Sequence, residues 1–134
     1  MKTIISSVLA IMLTVSLMAQ DSVNEIQLSN GQRILLGSIP EQALEKAPYS
    51  NWYTANYNRY SPDTNSISQF KEELKKYRIL VFMGSWCADS KREVPRFMKI
   101  LETAGFPEEQ LKIVAVDQRR EFYKKSPGGE EWGL

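Results

Sequence analysis

The fold is decided by residues 79–91, which read ILVFMGSWCADSK. The first five of these residues form an uninterrupted apolar run, which is typical of a β-strand buried on both faces. Residues 84–86 then predict a turn. A helix is predicted from about Ala88 to Ala104, because apolar residues recur at helical spacing and a glycine follows as C-terminal cap. Cys87, the only cysteine in the chain, is therefore predicted at the junction between a strand and a helix.

The flanking sequence extends this pattern in both directions. Ser66 and Gln69 fit a capping box, which predicts a helix at about residues 67–77. The residues predicted to face inward are Ile67, Phe70, Leu74 and Tyr77 on this helix, and Val94, Phe97, Met98 and Leu101 on the next. A second buried strand is predicted at about residues 111–117. The order helix, strand, helix, strand predicts an α/β fold with parallel strands joined by a crossover.

The segment at residues 20–65 gives weaker signals and is interpreted as a partly helical N-terminal extension of a domain at residues 66–134. Asn30-Gly31 is a favoured turn, so residues 24–36 could form a hairpin, and a loose leader is an equal alternative. Residues 41–60 favour a helix. The tyrosines at positions 49, 53, 57 and 60 share one face of that helix, which indicates a packing surface rather than a ligand cage.

The first 19 residues have the order of a secretory signal peptide. Lys2 precedes an uncharged, mostly apolar run that ends at Ala19. The alternative is an uncleaved transmembrane anchor, since the run approaches the roughly 20 residues that a spanning helix needs. Serines and threonines interrupt the run, and no basic stop-transfer flank follows it. We therefore expect cleavage, with export to the periplasm or secretion.

Composition excludes several classes of function. The chain has no histidine, which excludes Ser-His and Cys-His catalysis and most zinc sites. One cysteine cannot form an internal disulfide bond. The net charge is +1, and removal of residues 1–19 takes away one basic residue, so a nucleic acid or a membrane is not expected as a partner of the mature protein. No metal or cofactor is predicted.

The predicted position of Cys87 favours a reactive thiol. The first N–H groups of a helix lack internal partners and favour an anion, so a thiol there loses its proton more easily. Lys91 adds positive charge, whereas a carboxylate at Asp89 opposes ionisation. The alternative is a small buried apolar residue. Because Trp86 and residues 88–90 do not resemble a core, we expect an accessible, functional thiol.

The strand that leads into Trp86 and Cys87, together with Pro95 eight residues later, resembles the active-site region of thioredoxin-fold proteins. The resemblance covers about residues 66–134, and it is carried mainly by residues 78–97. It implies a thioredoxin-like fold with Cys87 as catalytic nucleophile. It also implies that Trp86, Ala88 and Asp89 face the substrate and that Pro95 is part of the structural motif.

Three departures from the family pattern qualify this expectation. Ser90 stands where the second, resolving cysteine would be, so exchange must stop at a mixed disulfide or be resolved by an external thiol, as in the monothiol branch of the superfamily. Ser90 is retained as a site residue that donates a hydrogen bond to the thiolate. Val81 replaces a buried aspartate. The family's cis-proline loop, last strands and last helix have no counterpart before Leu134, so we expect a fold that is incomplete at its C-terminus.

The resemblance implies thiol–disulfide exchange in the bacterial envelope, with a thiol- or disulfide-bearing protein or a low-molecular-weight thiol as partner. The alternative is a redox-inactive binding module that uses the surface around Trp86. A cysteine-based phosphatase or arsenate reductase is disfavoured because Glu93 stands where such enzymes need arginine.

Three other charged or aromatic features are assigned structural roles. Arg92, Arg96 and Lys99 form a basic stripe, which we interpret as a solvated face rather than a site for an acidic partner or a glutathione carboxylate. Trp132 is expected to pack. Asp117 is expected to end a strand without a catalytic role.

Overall fold

The structure is a computed structural model, and it describes residues 23–134. The signal peptide expected at residues 1–19 lies outside the described residues. The four strands are β1 (Asn24–Gln27), β2 (Arg33–Ile39), β3 (Ile79–Met83) and β4 (Leu111–Ala115). The three α-helices are α1 (Ser50–Arg59), α2 (Thr64–Leu74) and α3 (Ala88–Ala104). None of the helices in this part of the chain is long and apolar enough to cross a membrane.

The strands form one mixed sheet in the order β1-β2-β4-β3. β3 and β4 pair in parallel and are connected through α3, whereas β2 pairs antiparallel with both β1 and β4. The predicted α/β class and the parallel crossover are therefore confirmed. β4 ends at Ala115, two residues earlier than predicted. The backbone N–H of Val116 still donates to the carbonyl of Met83. The backbone N–H of Asp117 instead donates to the carbonyl of Lys125 in the following loop.

The hairpin alternative for residues 24–36 is confirmed. Ile26 lies opposite Ile34, and the turn between the strands contains Gly31 with a φ of +82°, a left-handed conformation that glycine adopts without steric cost. β2 then continues beyond the hairpin, where Gly37 pairs with Ala115 of β4. The segment before residue 66 thus shares a sheet with the crossover unit, and the domain boundary at residue 65 stays a prediction.

The core lies between the sheet and helices α1 and α3. The tyrosines at the start of α1 confirm the packing interpretation, since Tyr49 and Tyr53 are buried and Tyr57 packs against the core.

Val94, Met98 and Leu101 of α3 are buried as predicted, and Phe97 is partly buried against the same cluster. Gly105 ends α3 in a left-handed conformation, as expected of a C-terminal cap.

Helix α2 differs from its prediction at both ends. Its cap is Asp63, whose carboxylate accepts the backbone N–H groups of Asn65 at 3.0 Å and Ser66 at 3.2 Å, so the helix begins before the expected capping box. The helix ends at Leu74, which leaves Tyr77 outside it and 58% exposed. Ile67 is buried as expected. Phe70, which was expected to face inward, is 42% exposed.

Strand β3 is covered on one face only, which corrects the prediction of a strand buried on both faces. Leu80 and Phe82 are 37% and 43% exposed. The physical reason is that the core covers only the other face of β3, where Ile79 and Val81 pack against the core cluster and Met83 is buried. Trp132 covers part of the outer face, with its ring centroid 6.0 Å from that of Phe82, and so packs as expected.

Candidate functional site

Cys87 is the N-cap residue of α3. Its backbone is extended, with φ −80° and ψ 127°. The backbone N–H of Cys87 donates to Gly84 at 2.9 Å and closes the turn after β3, while its carbonyl accepts the N–H of Lys91 at 2.9 Å and starts the helix. The thiol is half-buried and does not belong to the core cluster. The strand-to-helix junction therefore holds the sulfur at the surface, at the positive end of a 17-residue helix.

The surroundings of Cys87 lower the pKa of its thiol below the ordinary value. The backbone N–H of Ser90 has the largest effect, and partial burial acts in the opposite direction. The N–H of Asp89 and the hydroxyl of Ser90 also lower the pKa, whereas the negative charge of Asp89 raises it. The side chain of Cys87 forms no capping hydrogen bond. The effect is therefore an attraction that these donors exert on the thiolate once the proton has left.

Ser90 connects the turn to the helix. Its Oγ accepts the backbone N–H of Gly84 at 3.2 Å. A hydroxyl that accepts one hydrogen bond can still donate its own proton, and the hydroxyl of Ser90 contributes to the lowered pKa of Cys87. Ser90 is thus placed to donate to a thiolate while it holds the preceding turn.

The charges next to the thiol are largely paired within α3. Ala88 and Asp89 are exposed at the start of the helix. The carboxylate of Asp89 accepts a hydrogen bond from Arg92 at 2.8 Å, and Arg92 also pairs with Glu93. This pairing offsets part of the repulsion between Asp89 and a thiolate at Cys87.

The basic stripe of α3 is occupied by contacts within the chain. Arg96 lies 3.5 Å from Glu93 and over the ring of Tyr60. Lys99 donates to the backbone carbonyls of Tyr57 at 3.0 Å and Tyr60 at 2.8 Å, which ties α3 to the end of α1. These side chains thus have structural partners, in agreement with the interpretation that the stripe is not a binding site.

Trp86 folds back over the turn that precedes the cysteine. Its Nε1 donates to the carbonyl of Val116 at 2.9 Å, and its ring centroid lies 5.7 Å from that of Tyr123. A Cβ at Gly84 would come within 2.7 Å of Cε2 of Trp86, so glycine is the residue that lets the indole lie flat here. Trp86 remains half-exposed beside Cys87. Its predicted contact with a substrate stays a prediction.

The first segment of the chain reaches the cysteine turn through two contacts that the sequence analysis missed. Ser85 is buried, and its Oγ accepts the backbone N–H of Leu35 in β2 at 3.0 Å. Asn56 of α1 donates from Nδ2 to the carbonyl of Lys91 at 3.1 Å. Neither contact has a local sequence signal, because each joins residues at least 35 positions apart.

The loop after β4 supports Trp86 from the other side. Asp117 is buried at the end of β4, where its carboxylate binds the guanidinium of Arg119 at 2.6 Å and the Arg119 N–H at 2.8 Å. Burial alone would raise the pKa of Asp117, but its bonds with Arg119 outweigh burial and lower it. The carboxylate thus stabilises the loop that carries Tyr123, which agrees with a structural rather than a catalytic role.

Two cavities differ in their relation to the thiol. One of about 310 Å³ lies beside the first turn of α3, where Ser85 and Lys91 meet Arg33, Tyr49 and Trp52. A larger one, of about 550 Å³, lies between α1 and the far end of α3, with a wall that includes Glu41, Glu45, Glu102 and Glu108. The larger cavity does not contact residues 84–90. Within residues 23–134, no group of side chains has the arrangement needed to hold a metal ion.

Comparison with protein-family models, with curated proteins and with solved structures finds no match to this chain.

Proposed function

We propose that this chain is a thioredoxin-like protein of the bacterial envelope that carries out thiol–disulfide exchange, with Cys87 as nucleophile. The observation that carries the proposal is the position of the sulfur. Cys87 is half-exposed at the N-cap of α3, and backbone N–H groups of the first turn lower the pKa of its thiol. A thiolate is the nucleophilic form of cysteine, so this arrangement favours attack on a disulfide bond.

The thioredoxin-like assignment draws support from the arrangement around the cysteine. β3, α3 and β4 form a parallel crossover unit, with the cysteine at the end of the first strand. Pro95 lies fully buried inside α3, eight residues after Cys87. Because proline inside a helix costs about 3 kcal/mol, its presence there indicates a specific structural requirement.

The chemistry proceeds through a mixed disulfide. The Cys87 thiolate attacks one sulfur of a partner's disulfide, a new S–S bond forms as the old one breaks, and the displaced thiolate takes a proton from water. Ser90 cannot attack the mixed disulfide, because its hydroxyl is not a thiol. An external thiol, from a low-molecular-weight compound or a protein, then attacks the partner's sulfur and displaces Cys87 as a thiolate. The exchange needs no metal or cofactor, and a disulfide between the partner and the external thiol remains.

A lowered pKa assists the second step as well as the first. A thiol with a low pKa is a better leaving group, so Cys87 is released readily from the mixed disulfide. The hydroxyl of Ser90 contributes to the lowered pKa and therefore assists both steps. We therefore assign Ser90 to the site as a hydrogen-bond donor, and we assign Trp86, Ala88 and Asp89 to the surface that meets the partner.

A redox-inactive binding module is the second candidate. It is favoured by Ser90 in place of a resolving cysteine and by the aromatic surface that Trp86 and Tyr123 form beside the thiol. On this interpretation the thiol has no reaction to perform, and the aromatic surface binds a partner protein without covalent chemistry.

Formation of a mixed disulfide separates the two candidates. Native protein is incubated with oxidised glutathione, and the adduct is followed by intact mass, with Cys87→Ser as control. We expect a single glutathione adduct on the native protein that is released by reduced glutathione. If an adduct forms only on denatured protein, the exchange function is wrong and the binding module is favoured.

We also propose that residues 1–19 direct export and are removed. N-terminal sequencing of protein recovered from the periplasm or the medium tests this proposal. A mature chain that begins at Gln20 is the expected result, and an intact Met1 on membrane-bound protein would support the uncleaved anchor instead.

A further inference from the structure

Pro95 creates a defect in the first half of α3. In an α-helix the N–H of residue 95 would bond to the carbonyl of residue 91, but proline has no N–H, and its ring pushes that carbonyl away. Pro95 is fully buried within α3, and the region of the Lys91 carbonyl is partly buried. The carbonyl of Lys91 therefore needs a hydrogen-bond donor from elsewhere in the molecule.

Asn56 supplies that donor from α1. Its Nδ2 lies 3.1 Å from the carbonyl oxygen of Lys91 and 2.9 Å from the carbonyl oxygen of Trp52. An amide nitrogen has two protons, so one side chain satisfies both carbonyls. The contact is partly buried, between two helices that pack against each other.

Lys91, whose carbonyl Asn56 contacts, also takes part in the turn around the thiol. The N–H of Lys91 donates to the carbonyl of Cys87 at 2.9 Å, so residue 91 closes the first turn of α3. The same turn contains the N–H groups of Asp89 and Ser90, which lower the pKa of the thiol. A shift of the backbone at Lys91 moves these donors, because the N–H of Lys91 closes the hydrogen-bonded turn that contains them.

We propose that Asn56 is a positioning residue for Cys87: its side-chain amide replaces the N–H that Pro95 lacks and holds the first turn of α3 in the geometry that surrounds the thiol. The inference rests on the proposed function, in which the first turn of α3 activates Cys87. It assigns to the segment before residue 66 a part in the chemistry of the cysteine.

The test compares the thiol pKa of variants, measured from the rate of alkylation of Cys87 against pH. Asn56→Leu removes the donor, and Asn58→Leu is the matched control because Asn58 is an exposed residue of the same helix. The charged side chains around the turn, Asp89, Lys91 and Arg92 on α3 and Arg33 on β2, stay unchanged in every variant. We expect the pKa of Cys87 to rise by roughly half a unit or more in Asn56→Leu. At a pH below the pKa, this rise lowers the fraction of thiolate about threefold or more. No rise is expected in Asn58→Leu.

Pro95→Ala distinguishes positioning from a general loss of packing. Alanine restores the backbone N–H that can bond to Lys91, so Asn56 becomes redundant in that background. We expect Asn56→Leu to raise the pKa in the native background and to have little further effect in Pro95→Ala. An equal rise in both backgrounds, or none in either, overturns the proposal. If Asn56→Leu does not fold, Asn56→Ser, which is too short to reach Lys91, takes its place in both backgrounds.

These results are independent of the exchange reaction itself. If the native thiol forms no mixed disulfide but Asn56→Leu still raises its pKa only in the Pro95 background, the exchange function fails and the positioning role stands. If the native thiol exchanges normally and Asn56→Leu changes nothing, the positioning role fails alone.

Discussion

At the scale of single residues, the lowered pKa of Cys87 depends on donors that lie within three positions of it. The N–H groups of Asp89 and Ser90 and the hydroxyl of Ser90 lower the pKa of the thiol, and partial burial and the charge of Asp89 oppose them. Sequence reasoning identified these residues because a helix start always presents free N–H groups. It could not determine the net direction of the pKa shift, which depends mainly on the balance between the N–H of Ser90 and the partial burial of the thiol.

Ser90→Ala is predicted to raise the pKa of Cys87. The substitution removes the hydroxyl beside the sulfur and also the acceptor for the N–H of Gly84, so we expect a loss of stability of about 1 kcal/mol as well. Alkylation of Cys87 against pH measures the first effect, and urea unfolding measures the second. Ser68→Ala is a suitable control, since its hydroxyl bonds only within α2. A pKa that is unchanged in Ser90→Ala would remove Ser90 from the site.

Asp117→Asn is predicted to destabilise the protein at neutral pH by about 1–3 kcal/mol, because a buried carboxylate bound to Arg119 is replaced by a neutral amide. The folded pKa of Asp117 is lowered, so its contribution is fully present above the ordinary pKa of about 3.9 and is lost as the pH falls through the lowered value. Unfolding in urea at several pH values tests this, with exposed Glu73→Gln as control. The free energies of unfolding of the variant and the native protein should converge in strongly acidic solution. A difference that stays constant at all pH values would contradict a stabilising role for the ionised carboxylate of Asp117.

At the scale of elements, prediction succeeded where local signals and packing agree. The predicted bounds of α3 match the observed ones. Its apolar stripe indicates a helix, and Gly105 marks the C-terminal end of that helix. α2 was misplaced because Asp63 competed with Ser66 as cap, and the carboxylate is the stronger acceptor of two N–H groups. The apolar run of β3 predicted burial on both faces, but burial also depends on which neighbours the sheet provides, and this is a property of the whole fold.

The turn between β3 and α3 is predicted to be sensitive to substitution of Gly84. In Gly84→Ala the new methyl group would meet the ring of Trp86, so the indole must move away from Gly84 and from its bond to Val116. We expect a loss of stability of about 1–3 kcal/mol and a change in tryptophan fluorescence. The loss should shrink in a Trp86→Leu background, where the ring is absent. An equal loss in both backgrounds would show that the indole does not lie on Gly84.

At the scale of the whole molecule, the segment before residue 66 is joined to the cysteine region through the sheet and through side chains. β2 pairs with β4, Ser85 accepts the N–H of Leu35, and Asn56 bonds to Lys91. Sequence reasoning treated this segment as an extension because its residues carry no motif. The contacts that integrate it are long-range, and neither periodicity nor propensity encodes a partner 35 or 50 positions away.

The cavity between α1 and α3 gives a prediction about pH and stability. Burial raises the pKa of Glu41, and nearby Glu45, Glu102 and Glu108 raise it further, although a hydrogen bond from Tyr53 acts in the opposite direction. A raised folded pKa means that stability is greatest below the ordinary pKa of about 4.3 and is lost as the pH rises through the folded value. Glu41→Gln keeps an acceptor for Tyr53 and removes this loss. Urea unfolding measures the free energy of unfolding of both proteins. We expect that of the variant to be higher than that of the native protein at neutral pH and equal to it near pH 4, about the ordinary pKa of a glutamate.

Glu109→Gln is the control for that experiment, since Glu109 is exposed and does not line the cavity. A variant Glu41→Gln that is less stable than the native protein at neutral pH would contradict the account. It would mean that the charge of Glu41 is favourable in the folded state.

The reactivity of the single thiol in the native protein tests the central claim most directly. The rate of alkylation of Cys87 is measured against pH in the folded protein and again in denaturant, where the cysteine titrates near its ordinary pKa of about 8.5. We expect the pH midpoint of alkylation in the folded protein to lie clearly below the midpoint in denaturant. A folded midpoint at or above the denatured value would contradict this expectation, because the helix start would then offer no stabilisation to the thiolate.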